Sequence, residues 1–456
     1  MKRLIYFAVL AAFMSGNVAA QDASVPIMLN YSTLKKKAEK SDEQIAHEKK
    51  GLKEKTWIKR GELFQDIDNL GLEQLQIGID KNTLKIFYRE PISVEQKEDN
   101  TEILKYETIN YILEDGRLRG WTRNDPIHEK PLHEALRSYK KAIELEDADK
   151  EMKLQEKIND NLDELKLQFQ RSGQNKYYLQ EYHDALLAFE SILEINEIPV
   201  YEGIIDTLMI NYCGIVAREI GARQMRQGNE EEAERMYRKT IDYYDRLAEL
   251  GDGGSSNYIQ MTRDYYAIGD TIGAIENLKE GLVQYPDSSI LVTLAAQAYY
   301  LMDKNEEGLE FIAERLEQKP ECPAAYYWKG LLITNEDDVE EETIQQALAL
   351  YDTSLMYDPA NSNVWYQSGY VNYAVGANYF EQESYEENPD FRKELNDKGV
   401  DYYKRAIEKL EKTYDIAEDD MTLKKESLDL LKRIYYKLYG GEDERYIRTN
   451  ERLQNL

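Results

Sequence analysis

Asn257–Pro286, NYIQMTRDYYAIGDTIGAIENLKEGLVQYP, and the segment after it, Asp287–Pro320, DSSILVTLAAQAYYLMDKNEEGLEFIAERLEQKP, carry the same marks at one interval. Tyr265 and Tyr299, Ala274 and Gly308, and Pro286 and Pro320 each stand 34 residues apart. That period belongs to a helix-turn-helix unit, which cannot bury its apolar face without stacked neighbours. Tyr258 and Tyr265 lie seven apart on the first helix, and Ala274 and Leu278 four apart on the second, so both helices turn an apolar stripe inward. Ala274 is small where the two helices approach. Gly269-Asp270 divides the helices, and Pro286 ends the second because it has no N–H to donate and clashes with the preceding turn.

Working outward, Tyr326 and Gly330, then Ala347, Tyr351 and Pro359, give another unit, with about five extra residues in the acidic stretch Asn335–Glu342. Asp358-Pro359-Ala360-Asn361 leads into Trp365 and Gly369. The second helix of that unit is expected at Val400–Leu410, after an insertion around Ala377–Asp397. Upstream, Gly221, Ala233 and Tyr237 repeat the relation of Gly173, Ala185 and Phe189. The earliest unit is split, with Trp57, Gly61 and Phe64 in its first helix and Ala135, Tyr139 and Ala142 in its second. Between them, Thr83–Tyr88 and Tyr106–Leu113 are rich in Ile, Tyr and Thr, and Glu114-Asp115-Gly116-Arg117 is a tight-turn signal before Leu118–Thr122. A small β-hairpin or three-stranded insertion is expected there, with a disordered loop as the competing reading.

The chain resembles the tetratricopeptide-repeat family over most of residues 54–456, and the aspartate-proline turn followed by Trp365 and Gly369 is its most specific mark. The resemblance implies an all-α solenoid, a right-handed superhelix of antiparallel helix pairs, here with a small β-hairpin insertion in the first repeat. The expected organisation is a signal segment at 1–20 and a basic helical segment at 21–53. A split first unit follows at 54–142, with its insertion at about 67–127, then the solenoid at 143–417 and capping helices at 418–456. Ser41-Asp42-Glu43 and Lys55-Thr56-Trp57-Ile58-Lys59-Arg60-Gly61-Glu62-Leu63-Phe64 resemble the opening of secreted repeat proteins found in Bacteroidetes.

Lys2 and Arg3 precede an apolar run, Leu4–Met14, and Val18-Ala19-Ala20 offers small residues before Gln21, the pattern of a signal peptide cut near Ala20. A membrane anchor is disfavoured because the run is too short to cross ~30 Å of hydrocarbon. No cysteine follows it, so a lipid anchor is not supported. A periplasmic or exported protein with no transmembrane segment is expected.

Net charge is −29, and loss of Lys2 and Arg3 makes it −31, which excludes nucleic acid as a natural partner because the phosphate backbone would be repelled. Tyr31–Arg60 runs the other way, with ten basic and five acidic residues. Its lysines 35, 36, 37, 49, 50 and 53 read either as a surface for an anionic lipid or polysaccharide or as the solvated face of a capping helix.

Cys213 and Cys322 fall in separate repeats and read as buried small hydrophobes. The histidines, His47, His128, His133 and His183, include no i, i+4 pair. The cluster Gly251-Asp252-Gly253-Gly254-Ser255-Ser256 lacks the lysine and preceding strand of a phosphate loop. No catalytic residue, cofactor site or metal site is therefore expected, and no enzymatic activity.

The resemblance implies that the first helix of each unit lines the concave face. Carried over position by position, it selects Arg218, Arg263, Tyr266, Gln297, Tyr300, Tyr327, Tyr366, Tyr370 and Tyr373 as partner-binding candidates. Such side chains suit an extended peptide, since flat rings cover its side chains while polar ends bond its backbone. Tyr300 and Tyr327 read equally well as packing between repeats. The expected function is a scaffold for a protein or peptide partner in envelope or secretion-machinery assembly; the alternative is glycan binding by the same aromatic residues.

Overall fold

The protein is described here from a computed structural model covering residues 27–456 apart from positions 74, 89, 98, 148 and 336–338; the expected signal segment lies outside the described residues. The chain divides into two compact units, Met1–Tyr243 and Tyr244–Leu456.

In chain order the first unit runs α1 (Ile27–Ala46), α2 (Glu54–Asn69), α3 (Lys81–Phe87), β1 (Ser93–Gln96), β2 (Thr101–Lys105), β3 (Ile109–Glu114), β4 (Arg117–Arg123), α4 (Pro131–Glu144), α5 (Glu151–Tyr178), α6 (Tyr182–Asn196), a 3-10 turn at Pro199–Tyr201, and α7 (Thr207–Arg226). The unit boundary falls inside α8 (Glu230–Glu249). The helices pair as α2 with α4, α5 with α6 and α7 with α8. Each pair closes where a glycine of its first helix meets a ring of its second: a Cβ on Gly61 would lie 2.6 Å from Tyr139, one on Gly173 2.5 Å from Phe189, and one on Gly221 3.2 Å from Tyr237. At 2.5 and 2.6 Å a Cβ would force the ring to shift, whereas at 3.2 Å the Tyr237 ring would need to give by only a few tenths of an ångström.

The second unit holds α9 (Ser256–Ala267), α10 (Thr271–Gln284), α11 (Ser289–Leu301), α12 (Asn305–Gln318), α13 (Pro323–Ile333), α14 (Glu341–Tyr357), α15 (Ser362–Tyr385), α16 (Pro389–Ile416), α17 (Met421–Tyr439) and α18 (Glu444–Gln454). Gly269 takes a φ of +75° to turn the chain, and the Asp270 carboxylate caps α10 by accepting from Gly273 N at 2.8 Å. In α9/α10 and α11/α12 the small residue has changed helix. Gly281 of α10 faces Tyr258 of α9, and Gly308 of α12 faces Tyr299 of α11, with Cβ distances of 2.7 and 3.0 Å. From α13 onward the glycine returns to the first helix, Gly330 against Tyr351 and Gly369 against Leu410. These antiparallel pairs make the chain an all-α repeat fold of the tetratricopeptide type.

Two local expectations are corrected. Residues 377–397 form no insertion apart from the helices: α15 and α16 run on until only Glu386–Asn388 separates them. Tyr379 and Phe380 pack on Tyr402 and Tyr403, which keeps both helices paired along their extra turns. The expected strand at Thr83–Tyr88 is helix α3, because Asp80 caps it by accepting from Asn82 N and Thr83 N at 2.9 and 3.0 Å. A satisfied N-cap outweighs the weak strand preference of Thr83, Ile86 and Phe87.

The β structure expected in the first repeat is present as a four-stranded antiparallel meander in the order β1-β2-β3-β4. Asp99-Asn100 and Asp115-Gly116, all with positive φ, make the tight turns. Leu84, Leu104, Ile109, Tyr111, Leu113 and Leu118 form the sheet's own core. The Asn175 side chain accepts from Trp121 N at 2.9 Å and donates to Trp121 O at 3.2 Å, so an α5 amide covers the outer edge of β4 as another strand would.

Candidate functional site

Stacking pairs leaves the first helices α9, α11, α13 and α15 of the second unit with one face free of their second helices. The positions chosen from the sequence are distributed unevenly over it. Arg263, Tyr266, Gln297 and Tyr370 are exposed, Tyr266 by 41% and Tyr370 by 45%. Tyr300 and Tyr327 are half-buried around Trp328, with ring centroids 6.1 and 5.5 Å from it. Burial pushes the Tyr327 hydroxyl up to about 12. Trp328 is itself buried, and its Nε1 has no hydrogen-bond partner among the described residues.

Tyr366 and Tyr370, one turn apart on α15, stack with centroids 6.4 Å apart and planes 23° apart. Tyr366 is pushed up to about 12 by burial and by Glu426. Tyr373 stacks on Tyr403 of α16 at 5.5 Å and meets the Arg433 guanidinium. The sequence thus selected two kinds of tyrosine: Tyr266 and Tyr370 face solvent, while Tyr327 and Tyr373 also build contacts between helices. Arg218 lies on α7 of the first unit, partly buried and engaged in contacts there.

The first unit contains a cavity of about 330 Å³ that the sequence did not reveal. Its walls come from Tyr31 of α1, the turn after α2, Trp121 of β4, the loop carrying His128, His133 of α4, Ser172 of α5 and Asp184 of α6. The Tyr31 hydroxyl donates to Asp125 Oδ2 at 2.6 Å, which pushes that hydroxyl up to about 12. Arg123 donates to the carbonyls of Asp68 and Leu70, the latter at 2.9 Å. Burial raises the Asp68 carboxyl against the opposing pull of Arg123 and Arg171. His133 stands edge-on to Phe169 at 5.1 Å, and burial, aided by Lys130, lowers its pKa. Its Nε2 is closed off from solvent with no hydrogen-bond partner among the described residues. His128 and His133 were visible in the sequence, but nothing local linked them to Trp121, Ser172 or Asp184.

The motif Ser41-Asp42 and Arg60 is structural. The buried Arg60 side chain donates to Ser41 Oγ at 3.0 Å, pairs with Asp42 at 2.8 Å and binds Glu134, tying α1 and α4 to α2. The lysines of α1 are exposed, and Tyr31, Leu34, Ala38 and Ser41 make its buried stripe. Cys213 and Cys322 are buried, and no disulfide joins them. Among the described residues no three His, Cys, Asp or Glu side chains converge to hold a metal ion, and no helix is long and apolar enough to cross a membrane.

No protein-family model matches the chain, and no curated protein matches it. Among solved structures it is similar to a TPR repeats protein from Bacteroides fragilis, with 14% identity over 58% of this chain and 97% of that one and a TM-score of 0.31. It is also similar to MamA from Desulfovibrio magneticus, with 16% identity over 45% and 97% and a TM-score of 0.26. YrrB, a TPR protein with an unusual peptide-binding site, aligns at 14% identity over 46% and 94% with a TM-score of 0.27. The fold rests on the helix pairs themselves, not on these distant likenesses.

Proposed function

We propose that this chain is a non-enzymatic scaffold that grips an extended segment of a partner protein along the first helices of its second unit. The observation that carries the reading is Tyr370, 45% exposed on α15 and held flat against Tyr366. A ring fixed in place but open to solvent offers contact area at little further cost in conformational entropy. Tyr266 and the exposed Gln297 and Arg263 extend the same chemistry to α9 and α11. With the signal-like leader at residues 1–20, the setting proposed is the periplasm or the cell exterior, and the role assembly of an envelope or secretion machine.

The test is affinity capture from an envelope extract by the mature chain, in parallel with a Tyr366→Ala, Tyr370→Ala double variant of matched helical content. A defined protein retained by the parent and lost from the variant supports the proposal. Retention indifferent to both tyrosines rejects this face.

A further inference from the structure

We propose that the turn between α1 and α2 is a membrane-contact site, which seats Leu52 in the surface of an anionic phospholipid bilayer while the lysines around it meet the lipid phosphates. The sequence here is His47-Glu48-Lys49-Lys50-Gly51-Leu52-Lys53-Glu54-Lys55, four lysines against two carboxylates in a chain whose net charge is −29. Leu52 is 70% exposed, and Lys49, Lys50, Lys53 and Lys55 are exposed around it. Among the described residues none of these four ammonium groups pairs with a carboxylate.

The exposure of Leu52 is built into the turn. Gly51 N donates to His47 O at 2.8 Å, and Lys53 N donates to Lys50 O at 3.1 Å. The indole of the buried Trp57 donates to Gly51 O at 2.8 Å. A Cβ on Gly51 would lie 2.2 Å from Ile45 O, so glycine alone lets the chain close there. Leu52 thus stands between two hydrogen-bonded neighbours with its side chain in solvent.

Fold stability does not account for the lysines. The start of a helix favours negative charge, yet α2 opens with Lys53 at its N-cap, where no side chain caps it, and with Lys55 in its first turn. Glu54 alone follows the rule. Lys36 and Lys40, four apart and exposed on α1 away from its buried stripe of Tyr31, Leu34 and Ala38, carry positive charge back from the turn.

Leucine and lysine together select the occupant. A dissolved polyanion would bind the ammonium groups and leave Leu52 in water. An anionic bilayer takes both, because lysine heads lie at the phosphate level with their stems along apolar surface, while an apolar side chain enters the acyl boundary. The acidic remainder of the chain does not prevent this contact, since charges more than ~8 Å from the surface are largely screened at physiological salt. It turns the basic end toward the bilayer. The site uses no residue of the proposed partner-binding face, so either reading can fail alone.

The experiment sediments the mature chain, free of the apolar Leu4–Met14 run, with vesicles of phosphatidylcholine alone and of phosphatidylcholine mixed equally with phosphatidylglycerol. Binding is expected to the mixed vesicles only, and it should weaken as salt is added. Lys49→Gln, Lys50→Gln should weaken it at least about tenfold, since one lysine near an anionic surface is worth about fivefold. Leu52→Asn should weaken it about tenfold, the loss of one buried apolar side chain. Val283→Asn, which removes an apolar residue that is 82% exposed on α10, should change nothing. All these positions are exposed, so each variant should keep the circular dichroism of the parent. The proposal is overturned if the mixed vesicles are not bound or if phosphatidylcholine alone is bound equally well. It is also overturned if Leu52→Asn binds as tightly as the parent, which would leave the lysines a site for soluble polyanions.

Discussion

In the first unit, buried polar side chains are turned toward other elements of the same unit. Arg60 joins α1, α2 and α4, and Gln65 donates to Asn161 O at 3.0 Å and to Gln168 Oε1 at 3.1 Å while accepting from Tyr139. Asn175 clasps β4 to α5. In the second unit, α9 and α15 instead carry tyrosines that face solvent, Tyr266 and Tyr370. One repeat plan, with small residues against rings in each unit, therefore supports two arrangements. In the first, buried polar side chains join helices and one of them, Asn175, also holds an inserted sheet; in the second, alongside buried bonds such as Asn277 to Tyr258 O, two first helices carry exposed tyrosines.

Removing a clasp should damage the first unit more than removing a surface ring damages the second. Arg60→Met strands Glu134 in a buried position with only Arg137 beside it, and a loss of roughly 3 kcal/mol is expected by urea unfolding. Gly173→Ala drives a methyl group into the Phe189 ring and should cost about 1–3 kcal/mol. Adding Phe189→Leu should recover part of that loss, a coupling that a double-mutant cycle measures. Asn175→Ala leaves the Trp121 N–H and C=O without their side-chain partner and should cost about 1–2 kcal/mol. Its signature is faster hydrogen exchange at the Trp121 amide than in α7.

A pH effect is smaller and has a fixed sign. Burial depresses the pKa of His133 below 6.5 in the folded protein, with Lys130 adding to the shift and Asp184 and Glu194 opposing it. As pH falls, the unfolded chain takes up the proton first. The stabilisation is therefore fully present above about pH 6.5 and is lost below it. Unfolding free energies at about pH 7.5 and 5.5 should differ less for His133→Phe than for the parent. Tyr370→Ala should be nearly silent, within ~0.5 kcal/mol of the parent in stability, while weakening partner capture. A large loss of stability there would make Tyr370 a packing residue and erase the contrast between the units.

The repeat was legible because its marks are local and periodic: Tyr265, Ala274 and Pro286 have Tyr299, Gly308 and Pro320 as counterparts in the next unit with their spacing unchanged. Helix α3 was misread because its Ile and Thr content suits a strand, and the deciding feature was a single cap, Asp80. The long α15 and α16 were misread as an insertion because the repeat length was held fixed while both helices gained turns. The partner-facing positions could be placed on helices, but their exposure depended on neighbours distant in sequence, as the stacking of Tyr373 on Tyr403 illustrates. The cavity was invisible for the same reason. It exists only once the sheet, α1, α4 and α5 are brought around it.

The most direct test of the central claim is site-specific photo-crosslinking in the envelope extract, with a photoreactive phenylalanine placed in turn at Tyr266, at Tyr370 and at Val283, which is 82% exposed on the second helix α10. The account predicts that one protein becomes linked at positions 266 and 370 and not at 283. Equal linkage at all three positions, or linkage at 283 alone, would contradict it.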